Sequence, residues 1–310
     1  MKEYQYVLTD KKPLNQPRKQ EEVCVKTVRK NSLAWLSSQY FNSAKFKQLA
    51  PNTQTVRRRI LNRICEKDGH KPFSLLEPRH IRMRRDAKLE TPAAANNELK
   101  VFKQLFSFAA EYDLAERNPA KDVPYLKTYS EGFHSWSPEE VIQFQGHHPI
   151  GTKARLAFEL LLLTGQRRSD IVKFGHRHVK DGWFVFTQEK NRNRKPVKLS
   201  IPILPELQLV LSNSRLGKDS FLVTEFDKSF TSNGFGNWFR KRCNEAGLPQ
   251  CTAHGLRKAG ATRAAENGAT DQQLMTMFGW TTSKQVIHYT RAANQKTLAE
   301  SGMHLLSDSS

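Results

Sequence analysis

The stretch ERNPAKDVPYLKTYSEGFHSWSPEE, residues 116 to 140, constrains the fold of this chain more than any other. It carries Pro119, Pro124, Pro138 and Gly132 and shows no apolar period. Proline fixes φ and removes an N–H donor, so neither a helix nor a central strand runs through such a segment. The chain has 310 residues, of which 38% are hydrophobic, enough to fill a core on each side of the break. We therefore expect an N-terminal tail over 1–28, a helical domain over 29–118, a linker over 119–134 and a second domain over 135–310.

Before the break the pattern is helical. Leu33, Leu36 and Tyr40 recur at helical spacing, as do Val56, Ile60 and Ile64, and then Leu99, Phe102, Leu105 and Tyr112. The second of these stripes is flanked by Arg57, Arg58, Arg59 and Arg63, and a further run holds Arg82, Arg84 and Arg85. Such charges ordinarily mark a solvated helix face. Two clusters in one small module also suit contacts to phosphate.

After the break Ser137, Pro138, Glu139 and Glu140 form a helix start: a capping hydroxyl, a proline at the first helical position and carboxylates in the first turn. An apolar helix follows over 153–163, turns at Thr164 and Gly165, and leads to a short helix from about Arg167. WFVFT and VKLSIPI alternate as strands on either side of the polar tip QEKNRNRKP, which makes a basic β-hairpin. Phe235, Trp238, Phe239 and Cys243 form a helical stripe closed by Gly247 and Pro249. A helix from about His254 to Asn267 ends at Gly268, and Thr270 with Gln273 makes a capping box for the next.

Fifty Lys and Arg against thirty Asp and Glu give a formal charge of +20, an excess that favours a polyanionic partner, with nucleic acid first. The opening MKEYQYVLTDKK lacks an apolar core behind a basic end, so no secretory signal is expected. The most apolar run, LAFELLLL at 156–163, falls well short of the roughly 20 residues of a membrane span. The four cysteines, Cys24, Cys65, Cys243 and Cys251, form no CxxC pair, as suits reduced thiols in a cytoplasmic protein. Cys251 and His254 make a CxxH without a second ligand pair, so no zinc or other metal is expected.

The motifs that could carry chemistry have ordinary readings one by one. Tyr289 follows Val286 by one helical turn and could complete an apolar stripe. His254 and Arg257 share a helix face, as chance pairs do. Arg167 and Asp170 could form an intrahelical ion pair, and Lys190 sits in a charged hairpin tip like many others. Their order is far more specific than any one of them. TGQR, a hairpin lysine, HGLR, and FGW followed by HYTR occur in sequence, with Trp280 and Tyr289 closing the series.

In these motifs the second half of the chain, strongly over about 136–300, resembles the catalytic domain of the tyrosine recombinases, the phage integrase family. The helical module before it is similar to that family's core-binding domain. The resemblance implies a mostly α fold with a small β-sheet or hairpin, arranged as a two-domain clamp. It implies that Tyr289 is the nucleophile, that Arg167 and Arg257 hold the scissile phosphate, and that Lys190 is the hairpin lysine. His254 would be the histidine of the HxxR box, and Asp170 the carboxylate that supports the first arginine. Trp280 stands where many members have histidine; its indole donates one N–H but cannot shuttle a proton, so acid and base work falls to Lys190 and His254. Asp170 is one methylene shorter than the usual glutamate.

The implied activity is site-specific cleavage and rejoining of double-stranded DNA through a 3′-phosphotyrosyl link, most simply as the integrase of a phage or other mobile element. A resolvase of chromosome dimers, a topoisomerase and a DNA-binding protein that does not cut are the rival readings. Besides Arg57, Arg58, Arg59, Arg63, Arg84 and Arg85, the hairpin's Arg192 and Arg194 are expected DNA contacts. Four protomers on two duplexes, possible DNA-bending or directionality factors, and no cofactor complete the expectation. Only about 30 residues precede the helical module, too few for a separate arm-site domain.

Overall fold

A computed structural model describes residues 28–128, 132–190, 192, 195–287, 299–300 and 302–306. Two compact units divide between residues 129 and 130.

The first unit is helical: α1 (Leu33–Asn42), α2 (Ala44–Lys47), α3 (Pro51–Asp68), α4 (Pro78–Asp86) and α5 (Pro92–Glu111). Local chemistry sets the starts. Ser43 ends α1 and begins α2, its hydroxyl donating to Tyr40 O and accepting from Phe46 N. Proline opens α3, α4 and α5, where its missing N–H would have no helical partner in any case. Leu33, Leu36 and Tyr40 of α1 pack with Ile60, Leu61 and Ile64 of α3 and Leu99, Phe102 and Leu105 of α5. The expected stripes overreach at two ends. Val56 is 42% exposed in the first turns of α3, and Tyr112 is 47% exposed because it caps α5 rather than continuing it. The linker is also shorter than its prolines suggest. Ala120 and Val123 are buried in this core, Asn118 Nδ2 donates to Lys103 O, and Asn96 bonds the backbone of Leu126 in both directions.

The arginines of this unit divide into two groups. Arg57 donates to the Tyr40 hydroxyl, and the Arg58 guanidinium lies 4.3 Å over the Phe41 ring. Arg84 pairs with Asp68 and Glu98, and Arg85 with Asp86 and Pro124 O. These four side chains are engaged in holding the unit together, a use the charge pattern alone did not reveal. Arg59 and Arg63 stand exposed one turn apart on one face of α3, beside Gln54, Thr55 and Asn62.

The second unit contains α6 (Pro138–His147), α7 (Lys153–Thr164), α8 (Arg168–Ile171), β1 (Val179–Lys180), β2 (Trp183–Thr187), β3 (Lys198–Pro202), α9 (Pro205–Ser212), α10 (Ser232–Glu245), α11 (Ala253–Glu266) and α12 (Asp271–Phe278). The three strands form an antiparallel sheet in the order β1-β2-β3, with Lys180 opposite Trp183 and Val185 opposite Ser200. β1 was not expected, since two residues are too few to show alternation. The Asp181–Gly182 turn joins it to β2 with φ positive at both positions, the twist a tight hairpin requires. Phe184, Phe186, Leu199 and Ile201 turn inward onto a core built around α7. At its centre Phe144 stacks on Phe158 at 4.8 Å, with Trp136 and Phe239 around them. Trp136 Nε1 donates to Thr252 O and so ties the start of the unit to the cap of α11. A smaller cluster of Ala261, Ala265, Leu274, Phe278, Trp280 and Val286 joins α11 and α12 to the helical stretch 283–287.

Phe158→Ala removes the ring at the middle of this aromatic stack. A loss of about 3–5 kcal/mol in denaturant unfolding is expected; a loss below 1 kcal/mol would show that the stack does not organise the unit.

Candidate active site

Two helices end side by side on left-handed glycines. α7 is capped by Gly165 (φ 61°) and α12 by Gly279 (φ 62°). At each end the last carbonyls have no partner within the helix, and here they find one in Arg257, on the second turn of α11. Its Nη1 donates to Gly165 O and its Nη2 to Phe278 O at 2.8 Å. The guanidinium is 2% exposed and lies 5.2 and 5.7 Å from the ring centres of Phe278 and Trp280. Helix C-termini carry partial negative charge, so they favour a cation placed there. The fit around Gly165 is close: a Cβ on it would sit 2.4 Å from the Phe278 ring.

Arg167 enters from the start of α8, where it is the N-cap residue and half-buried. Its Nη1 donates to Gln188 Oε1 at 2.9 Å. Asp170, 3% exposed, forms no direct ion pair with that guanidinium. Its Oδ2 accepts from Arg167 N at 3.3 Å and its Oδ1 from Glu189 N at 2.7 Å, so it ties α8 to the end of β2. The intrahelical ion pair that the spacing allows is thus replaced by two backbone contacts. A helix-opening side chain at this position reaches back to its own N-terminus more easily than outward. Burial pushes the Asp170 carboxyl above its ordinary value, against the opposing pull of those N–H groups and of Arg167 and Arg257.

His254 lies in the first turn of α11, half-buried, with the Phe133 ring 4.6 Å away. Its pKa is lowered, first by burial and then by Arg257, Arg167, Arg168 and Lys190. Burial and the positive charges nearby thus both disfavour the charged imidazole. Lys190 is exposed in the turn that follows β2. Trp280 is buried and stacks on Phe278 at 4.8 Å, 21° from parallel, which makes it a wall of the Arg257 site. Arg192 is exposed and paired with Glu189. Tyr289 and Arg194 lie outside the described residues. The stretch that leads to Tyr289 is anchored by Val286, fully buried in the α11–α12 cluster.

Two site residues escaped the sequence reading. Gln166, inside TGQR, and Gln188, at the end of β2, are both buried. The strand period marks Gln188: residues 184 and 186 point inward, so 188 falls on the same face, where a polar side chain needs a partner. The CxxH is also rearranged. The potential ligands that converge among the described residues are His134, Glu140 and Cys251, without His254. Glu140 is already bonded to Ser137 N, Gln250 and His134, and burial holds the Cys251 thiol far above its ordinary value. That donor set favours a protonated thiol over a metal ligand.

Residues 138–296 match the phage integrase family. The integrase of Mycobacterium phage FRAT1 is 22% identical over 224 residues, covering 65% of this chain. The matched region spans 66% of that relative's length, just under two thirds. Among solved structures, a lambda integrase dimer bound to a COC′ core site superposes with a TM-score of 0.73 at 18% identity, over 83% of this chain and 95% of the other. A lambda integrase tetramer bound to a Holliday junction gives 0.71 at 17% identity, over 84% and 77%.

The cations around His254 have a direct consequence. In the free protein its NMR titration midpoint is expected below the ordinary 6.5, and Lys190→Ala should move it upward. A midpoint at or above 6.5 would mean that neither burial nor the nearby cations act on this ring.

Proposed function

Because the chain belongs to the phage integrase family, we propose that it is a site-specific tyrosine recombinase, the integrase of a phage or other mobile element. The observation that carries this reading is the convergence of two elements: α11 brings Arg257 and, one turn before it, His254, and the start of α8 brings Arg167, with the two arginines linked through Gln188 and the Phe278 carbonyl. A site with two guanidiniums beside a neutral imidazole suits an anionic group that gains charge as it reacts.

The substrate of this chemistry is a DNA phosphodiester. In-line attack raises the negative charge on the nonbridging oxygens, so fixed cations favour the transition state over the ground state. Arg167 and Arg257 supply them, since a guanidinium stays charged at any working pH. Tyr289 is the nucleophile. A phenol of pKa about 10 must lose its proton during attack, and the imidazole of His254, kept neutral by its surroundings, accepts it. The 5′ oxygen leaves as a hydroxyl after taking a proton from Lys190, exposed where the hairpin leaves β2. The product is a 3′-phosphotyrosyl link. A second 5′ hydroxyl reverses the step on a new strand, and the ester energy is kept throughout. Trp280 acts by walling the Arg257 site, and Asp170 by fixing the start of α8.

The unit within residues 28–128 serves as the core-binding domain, with Arg59 and Arg63 toward phosphate, and the unit within 132–306 as the catalytic domain. Four protomers on two duplexes are the working assembly, as the lambda integrase tetramer on its junction suggests by likeness. The protein works on DNA in the cytoplasm. No described helix is long and apolar enough to cross a membrane.

A nicked suicide duplex carrying the cognate site should trap the protein in an adduct that survives SDS, and Tyr289→Phe should abolish the adduct while retaining DNA binding. An adduct with the Phe variant would remove Tyr289 from the chemistry. Replacing both Arg59 and Arg63 with Ala should flatten the plot of log affinity against log salt by about two units, one per lost phosphate contact. An unchanged slope would place the duplex elsewhere.

A further inference from the structure

The two arginines are joined by a short chain of hydrogen bonds through one amide. Gln188 Oε1 accepts from Arg167 Nη1, while Gln188 Nε2 donates to Phe278 O at 3.0 Å and to Gln166 Oε1 at 2.8 Å. Phe278 O is the same carbonyl that receives Arg257 Nη2. Gln166 is fixed in turn, since its Nε2 donates to Thr164 O and Met277 O. This settles which way each amide faces. Gln166 must turn its oxygen toward Gln188, and Gln188 must turn its NH₂ toward two oxygens, which leaves only its own oxygen for Arg167. The residue is also held at its backbone, where Gln188 N donates to Val197 O, and its amide packs so closely on Gly279 that a Cβ there would lie 2.7 Å from Gln188 Nε2.

We infer that Gln188 is a positioning residue that sets the orientation of Arg167 and its spacing from Arg257, so that both guanidiniums act on one phosphate. Arg167 leaves its backbone at the N-cap of a four-residue helix and is only half-buried. A long side chain with that freedom needs an anchor to hold a reactive geometry, and Gln188, fully bonded in the interior, provides it. The inference rests on the recombinase reading for its effect on cleavage, but not for its effect on Arg167.

The test uses the full chain and Gln188→Met, which keeps length and removes both donor and acceptor. Single-turnover cleavage of the suicide duplex should fall about 100-fold, as small displacements of a positioned group do, with DNA affinity unchanged. A duplex whose scissile phosphate is replaced by a neutral methylphosphonate has less charge for Arg167 to meet. There the penalty should shrink by on the order of tenfold. Gln188→Glu keeps the acceptor but sets a carboxylate against Phe278 O and Gln166 Oε1; its rate relative to the unsubstituted protein should rise as pH falls and the carboxyl regains a proton. Cleavage by Gln188→Met at the unsubstituted rate, or an equal loss on both duplexes, overturns the positioning role. NMR of the Arg167 guanidinium reads the same point without any cleavage: its N–H exchange should be slow in the unsubstituted protein and fast in Gln188→Met. Equal exchange overturns the inference. If the unsubstituted protein forms no adduct at all, it is the recombinase reading that fails.

Discussion

A single buried cation at the junction of two helix ends organises the second unit. Arg257 carries a full charge at 2% exposure, which would be prohibitive without partners. What offsets the cost is the geometry of α7 and α12, whose final carbonyls, turned by left-handed glycines, converge on the guanidinium. The aromatic wall of Phe278 and Trp280 excludes water from the same place. Everything else at the site is placed relative to this junction: α11 because it bears Arg257 and His254, β2 because Gln188 shares the Phe278 carbonyl, and α8 because Arg167 bonds Gln188 and Asp170 joins it to Glu189.

This arrangement joins TGQR and FGW, which lie far apart in the chain. Each glycine ends a helix on a carbonyl that Arg257 needs, and each allows a close approach that a side chain would block, of the Phe278 ring to Gly165 and of the Gln188 amide to Gly279. The glutamine of TGQR completes the link through Gln188. The tryptophan of FGW stacks on Phe278 and lies with it beside the Arg257 guanidinium.

Legibility followed the range of the interaction. Caps and turns depend on residues within one or two turns of each other, and so Ser137 with Glu140, Thr270 with Gln273, and the glycine end of α7 could be read directly. The fate of a surface arginine depends on what folds against it. Arg84 looked like a phosphate contact and is instead shared between Asp68 and Glu98, and Arg58 lies over aromatic rings of α1 and α2. Val56 and Tyr112 continued helical stripes on paper, but a stripe is buried only as far as its neighbouring helix extends.

By itself the sequence determined that the chain breaks into two parts near the proline-rich stretch, that each part is chiefly helical, the second with one basic hairpin, and that its ordered motifs match one family. These follow from periodicity, capping and residue order, which are properties of the chain alone. Only the tertiary structure decided that Asp170 bonds backbone rather than guanidinium, that Gln166 and Gln188 belong to the site, and which arginines are engaged by the protein's own side chains. Those outcomes depend on hydrogen-bond partners far apart in the chain, whose geometry exists only once the helix ends have met around a buried charge.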